Sequence, residues 1–230
     1  MAKEQKEQEL LLNIYHRLYD SFGHRNWWPG ETKWEIIVGA ILTQNVSWKN
    51  VVQAINNLKE EGHFELHDLY NVPLGTLAEL IRPSRYYNVK AKKLKAIAEH
   101  IIVKYQGDID YFLGQPIDFL RQELLNIWGI GPETADCILL YGSEAPSFVV
   151  DAYTKRIYTR LGIFNEDISY DGMRDYFMSH LPQDIGLYND YHAQIVALGH
   201  NICRSKPVCV HCPLEELGLC KSLLNRNITE

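Results

Sequence analysis

The 230-residue sequence lacks long apolar stretches. Its longest strongly apolar run, Ile36 to Leu42, is far shorter than the about 20 residues a membrane-spanning helix requires, so no membrane partner is expected. Glycine and proline are modest at 15 and 9, and neither a low-complexity segment nor an internal repeat stands out. Basic residues are not in excess. With 23 Lys and Arg against 29 Asp and Glu, the net charge of −6 counts against strong non-specific attraction to nucleic acid. Any polyanion contact must therefore use local patches, the candidates being Arg82, Arg85, Lys90, Lys92, Lys93 and Lys95, with Lys155, Arg156 and Arg160. Cysteine is scarce as well. Four of the five cysteines crowd the C-terminal region, which argues for metal ligation in a reducing compartment over a disulfide framework. The charged, helix-prone opening MAKEQKEQEL is unlike a signal peptide, and a soluble cytoplasmic protein is expected.

What is present is helical periodicity. Leu10, Leu11, Ile14, Leu18 and Phe22 share one face of a first helix that Gly23 ends. The spacing predicts helices over about 33 to 43 and from Ser47, a candidate N-cap, with Thr43-Gln44-Asn45 as a polar break between them. Two short helices follow before Pro83, then a long one from Tyr86 to Val103. Further helices are predicted near 152 to 161, 170 to 180 and 186 to 201. No convincing strand is seen, so the fold class is all-α, and a 46% hydrophobic content supports one large core or two small ones.

Residues 120 to 156 organise the rest. Leu120, Leu124, Ile127 and Trp128 recur at helical spacing, Gly129-Ile130-Gly131 breaks the helix, and Pro132 suits the first position of the next. Such a hairpin presents backbone N–H groups that favour a phosphate, although an ordinary αα-hairpin has the same pattern. Cys137 falls on the apolar face of the second helix and reads as core. Asp151 follows the apolar run Phe148-Val149-Val150 and starts another helix, where an ordinary N-cap is the bland reading. Cys203, Cys209, Cys212 and Cys220 are spaced C-x5-C-x2-C-x7-C, and four such thiolates can close one metal's coordination shell. On spacing alone, structural zinc leads.

Turn, aspartate and cysteine cluster in this order resemble the helix-hairpin-helix DNA glycosylases of the endonuclease III superfamily, over nearly the whole chain. The resemblance implies two helical domains with a cleft between them: residues 31–146 carrying the hairpin, and 1–30 plus 147–230 carrying the aspartate and the cysteines. It implies a [4Fe–4S] cluster on the four cysteines in place of zinc, although the family's usual gaps are six, two and five residues. It also implies DNA contacts by Gly129, Ile130, Gly131 and Thr134, and a catalytic role for Asp151, whose carboxylate would stabilise an oxocarbenium-like sugar. Lyase members carry a lysine in the hairpin that forms a Schiff base. Glu133 occupies that position here, which implies a monofunctional enzyme.

Trp27-Trp28-Pro29, Leu42-Thr43-Gln44-Asn45 and Arg82-Pro83-Ser84 further resemble the 3-methyladenine DNA glycosylases within the superfamily. That likeness implies a base pocket of Trp27, Trp28, Pro29 and Trp48, with Gln44 or Asn45 as the wedge filling the space a flipped base vacates. An alkylated purine is cationic and stacks well on such rings. Packing of these tryptophans at a domain junction is the plain alternative. The expected partner is duplex DNA with a damaged base, met by a monomer at the nucleoid. Competing readings are a glycosylase for another base, a non-catalytic helix-hairpin-helix DNA-binding module and a zinc-binding regulator.

Overall fold

The computed structural model describes residues 2–25, 27 and 30–220. Among these, every regular element is helical. The chain forms two compact units: a discontinuous one, Met1–Trp27 with Pro146–Glu230, and a continuous one, Trp28–Ala145. Helix α1 (Ala2–Phe22) belongs to the first. The continuous unit follows with α2 (Lys33–Leu42), α3 (Trp48–Glu60), α4 (Leu66–Asn71), α5 (Leu74–Leu80), α6 (Tyr87–Tyr105), α7 (Ile109–Leu113), α8 (Ile117–Asn126) and α9 (Pro132–Cys137). The chain then returns to the discontinuous unit with α10 (Ala152–Arg160), α11 (Tyr170–His180) and α12 (Ile185–Asn201). No helix among the described residues is long and apolar enough to cross a membrane.

The continuous unit is built around α2, which is apolar on nearly every side and so must be surrounded. Trp34, Ile37, Val38, Ala40, Ile41 and Leu42 are all buried. Its start is fixed by Thr32, whose Oγ1 accepts from the Glu35 N–H at 3.1 Å. Its polar groups are matched: Trp34 Nε1 donates to the Phe64 carbonyl at 2.7 Å, and buried Glu35 pairs with Lys59 at 2.8 Å. Helix α2 packs on α6 and on a π-helical turn, Ile138–Gly142, that continues α9. Buried Glu123 of α8 gathers His100, Lys104 and Tyr105 of α6, which fixes the helix leading into the hairpin against the longest helix of the unit.

In the discontinuous unit α1 packs on α11 and α12, and α10 packs on α12. Its core is aromatic. Phe148 stacks on Phe177 with centroids 4.1 Å apart and planes at 8°, inside a cage of Tyr158, Tyr188 and Tyr191. Buried phenols need partners. The Tyr191 hydroxyl donates to the Leu11 carbonyl at 2.7 Å, so its 2.6 Å contact with Tyr158 must be a bond that Tyr158 donates. This chain of bonds stitches α10 to α12 and α12 to α1.

Three local details differ from or go beyond the sequence reading, while α5 ends before Pro83 as expected. Ser47 precedes α3 as expected, but its side chain makes no capping bond. Pro83 lies inside a 3₁₀ turn, Arg82–Ser84. Helix α8 stops at Asn126, so Trp128 falls beyond it and is 59% exposed, unlike Leu120, Leu124 and Ile127, which are buried. Cys137 is buried, as expected of a core residue. Tyr191→Phe would leave both the Tyr158 hydroxyl and the Leu11 carbonyl short of a partner. It should cost about 1–3 kcal/mol in a urea titration. An unchanged midpoint would show that these bonds contribute nothing net.

Candidate active site and DNA-contact hairpin

The hairpin lies within the continuous unit. Ile127 and Ile130 point into the core on either side of the turn, and the Ile130 N–H bonds the Ile127 carbonyl at 3.1 Å. Gly129 has φ +87°, and a Cβ there would collide with the Lys93 stem. Only glycine meets both demands. Gly131 differs: a Cβ there would meet open space. Thr134 is buried and faces inward. Its Oγ1 accepts from Gln44 Nε2 at 2.8 Å, while Lys93 Nζ donates to Gln44 Oε1 at 2.6 Å. Both ends of the Gln44 amide are thus occupied, and Gln44 ties the polar break after α2 to the hairpin. Neighbouring Asn45 is exposed, with φ +56°. Trp48 is half-buried in the first turn of α3.

Several of the basic residues grouped from sequence as a surface patch are internal. Lys90 is 2% exposed, and its Nζ donates to the Leu42 carbonyl at 2.8 Å and the Ser84 carbonyl at 2.6 Å. Burial, and then the charge of Lys93, pushes its pKa down to about 8. Burial also lowers Lys93 and Lys95, and Lys95 donates to the carbonyls of Tyr70 and Val72. Arg82, Arg85 and Lys92 are exposed.

Asp151, in the discontinuous unit, caps α10 in a capping box. Its Oδ1 accepts from the Thr154 N–H at 2.7 Å and the Thr154 hydroxyl at 2.9 Å. Its other oxygen, Oδ2, faces His192 Nε2 at 3.7 Å, a separation longer than a hydrogen bond. Burial alone would raise the carboxyl's pKa. The approach of His192 and the two Thr154 donors outweigh it and hold Asp151 below the ordinary carboxylate value. A carboxylate ionised at neutral pH, with one oxygen fixed and the other turned to a neighbour, is equipped to stabilise positive charge.

Helix α12 supplies the surroundings. Asp190, His192 and Gln194 are all buried on it. Asp190 accepts from the Tyr15 hydroxyl, the Arg25 N–H and Gln194 Nε2, each at 3.1 Å, and Gln194 Nε2 also donates to the Gly23 carbonyl at 2.7 Å. These bonds shape the segment that ends at Trp27, whose ring meets His192 edge-on at 6.4 Å. The structure thus brings both Trp27 and Asp151 to one histidine. Trp28 and Pro29 lie outside the described residues. The sequence reading passed over Asp190, His192 and Gln194. Their signal was a polar residue at every second position of a stretch otherwise apolar enough to be buried.

The four clustered cysteines occupy the segment after α12, and none of the chain's five forms a disulfide. Burial first, and then the charges of Cys203, Cys209 and Cys220, push the Cys212 thiol up to about 11. Four soft thiols in one loop have the chemistry of an iron–sulfur or zinc centre. Among the described residues, however, no group of three or more His, Cys, Asp or Glu side chains is drawn together tightly enough to hold a metal as it stands. Arg156 and Arg160 secure the loop to α10. Arg156 donates to the carbonyls of Cys203 and Gly199, and Arg160 to those of Arg204 and Ser205 and to Cys203 Sγ at 3.2 Å. Lys155 donates to the Ile168 carbonyl at 3.2 Å. These three cations, taken from sequence as surface candidates, are engaged in holding the fold.

Helices closed by a glycine hairpin, followed by a capping aspartate, describe a class. Residues 38–183 match the family of HhH-GPD superfamily base excision DNA repair proteins, and the chain belongs to that family. It is a base-excision DNA glycosylase, a hydrolase of N-glycosidic bonds. It is 49% identical over 215 residues, 93% of this chain and 97% of the relative, to a candidate DNA repair glycosylase of Methanocaldococcus jannaschii. It is 30% identical to the endonuclease III of Sulfolobus acidocaldarius, over 82% of each chain. A Helicobacter pylori 3-methyladenine DNA glycosylase bound to 1,N6-ethenoadenine superposes with a TM-score of 0.71 at 29% identity, covering 84% of this chain and 96% of that one. An endonuclease III in a non-covalent DNA complex shares the fold, with a TM-score of 0.81 at 24% identity over 95% and 97% of the two chains.

The two hairpin glycines should behave differently. Gly129→Ala places a side chain in left-handed backbone and against Lys93, and should cost at least about 1–2 kcal/mol. Gly131→Ala should leave thermal stability nearly unchanged. Equal melting temperatures for the two variants would contradict this assignment.

Proposed function

We propose that the enzyme is a monofunctional glycosylase that releases alkylated purines such as 3-methyladenine from duplex DNA, acting as a monomer. The observation that carries this reading is the arrangement at Asp151: an ionised, half-anchored carboxylate whose second oxygen faces a histidine that Trp27 also meets, edge-on. Rings of this kind stack on a cationic, electron-poor base. As the N-glycosidic bond breaks, its electron pair leaves with the purine, which departs neutral because alkylation had made it cationic. The sugar becomes oxocarbenium-like, and Asp151 stabilises that charge. A water then adds at C1′ and gives up its proton, to Asp151 or to solvent, leaving an abasic site.

Two facts support hydrolysis over lyase chemistry. Glu133 stands where lyase members carry lysine, and a carboxylate forms no imine. The lysines with lowered pKa are candidates for that role on chemistry alone, yet Lys90, Lys93 and Lys95 are each pinned to fixed acceptors. The hairpin, with Gly129, Ile130 and Gly131 at its turn, serves as the phosphate contact, and Gln44 and Asn45 as the elements nearest the displaced base. Gly131→Asp adds a charge where there is space, so it should weaken binding to all duplexes without unfolding the protein.

The test is base release from duplexes carrying single defined lesions. Wild-type protein should free 3-methyladenine and leave strands intact until alkali or heat cleaves the abasic site. Borohydride should trap no adduct. Asp151→Asn should fold, bind DNA and lose most base release. Efficient trapping would overturn the monofunctional reading, and full activity in Asp151→Asn would return Asp151 to a capping role only.

The same reading gives Cys203, Cys209, Cys212 and Cys220 a [4Fe–4S] cluster with a structural role. Protein purified without oxygen should carry iron and a broad absorbance near ~400 nm. Stoichiometric zinc with neither iron nor colour would refute the cluster.

A further inference from the structure

We propose that His192 is a positioning residue of the glycosylase reaction. Its imidazole aims the Asp151 Oδ2 oxygen at the forming sugar cation and fixes the separation between that carboxylate and Trp27. The inference rests on Asp151 being the catalytic carboxylate.

Three observations carry it. First, the two oxygens of Asp151 are not equivalent. Oδ1 is saturated by both Thr154 donors, so only Oδ2 is left to act, and His192 Nε2 is what it faces, at 3.7 Å. At that distance the imidazole orients the oxygen without claiming a lone pair in a short hydrogen bond, which would blunt its interaction with a cation. Second, His192 is 5% exposed on a helix packed by Tyr188, Tyr191, Ile195 and Leu198. If packing alone set this position, an aliphatic side chain would fill it without burying an imidazole. Third, the histidine's second neighbour is Trp27. The Trp27 ring meets it edge-on at 83°, and the chain leading to Trp27 is tied to the same helix through Asp190 and Gln194. One rigid helix thereby sets the places of the group that meets the sugar and a ring offered to the base. His192 itself gives and takes no proton in this scheme.

The experiment compares single-turnover base release with affinity for a duplex containing an abasic-site analogue that has no glycosidic bond. His192→Leu should bind that duplex like wild type and release base about 10–100-fold more slowly, the scale on which loss of an orienting partner acts. His192→Gln places an amide N–H near the position of Nε2 and should restore most of the rate. His192→Asn, polar but shorter by a methylene, should not. The Gln and Asn pair decides the matter even if the Leu variant fails to fold. Wild-type rate in the Leu variant, or equal rates for Gln and Asn, would overturn the inference. Running Asp151→Asn alongside separates the two readings. An inactive Asp151→Asn beside a fully active His192→Leu sinks the histidine's role alone, whereas an active Asp151→Asn removes both.

Discussion

The discontinuous unit depends on satisfying one carboxylate of α12, Asp190, where water does not reach. A carboxylate such as Asp190, buried and unpaired, would cost several kcal/mol. The chain avoids that cost by wrapping the end of α1 around it. The Tyr15 hydroxyl, the Arg25 amide and the Gln194 amide converge on its two oxygens. Satisfying Asp190 therefore dictates the path of residues 23–25, and with it the place where Trp27 emerges. A buried charge is weak as a source of stability, but it is strict about geometry.

Helix α10 provides a second constraint of the same kind. Its first turn is closed by the Asp151 capping box, and its later turns send Arg156 and Arg160 across to carbonyls around the cysteine segment. Loops that carry metal ligands expose many unpaired carbonyls. Two guanidinium groups, each with several donors in a fixed plane, satisfy a run of them at once. The segment bearing the cysteines is thus braced by protein contacts before any metal is considered. The same nine-residue helix holds the carboxylate at one end and braces the thiol-bearing segment at the other.

Much of the fold was legible because it rests on periodicity. The helices of α1, α2 and α10 to α12 follow apolar spacing that one sequence displays, and Gly129 and Pro132 punctuate the hairpin as their backbone chemistry requires. What could not be read is where long polar side chains end. Lys90 and Arg156 look like surface cations in a charge pattern, yet their heads find carbonyls brought near only by folding. Trp128 misleads in the opposite sense, because a helix that stops two residues earlier turns an apolar position outward. Asp151 was identifiable by motif, but its environment was not. The asymmetry between its two oxygens arises from Thr154, three residues away, and from His192, forty-one residues away, and only the first separation is local.

Buried Lys90 joins the end of α2 to the 3₁₀ turn before α6 by donating to one carbonyl on each. An ammonium has three N–H bonds and a neutral amine has two, so either form can serve two acceptors. With its pKa near 8, the side chain loses its charge in mildly alkaline solution without giving up either bond. The unfolded chain, whose lysine titrates near about 10.4, still binds the proton over that interval, so folding stability from this group rises as pH increases from about 8 to about 10. Alkali, which strips many proteins of their lysine contacts, relieves a strain at this junction and leaves its two loops joined.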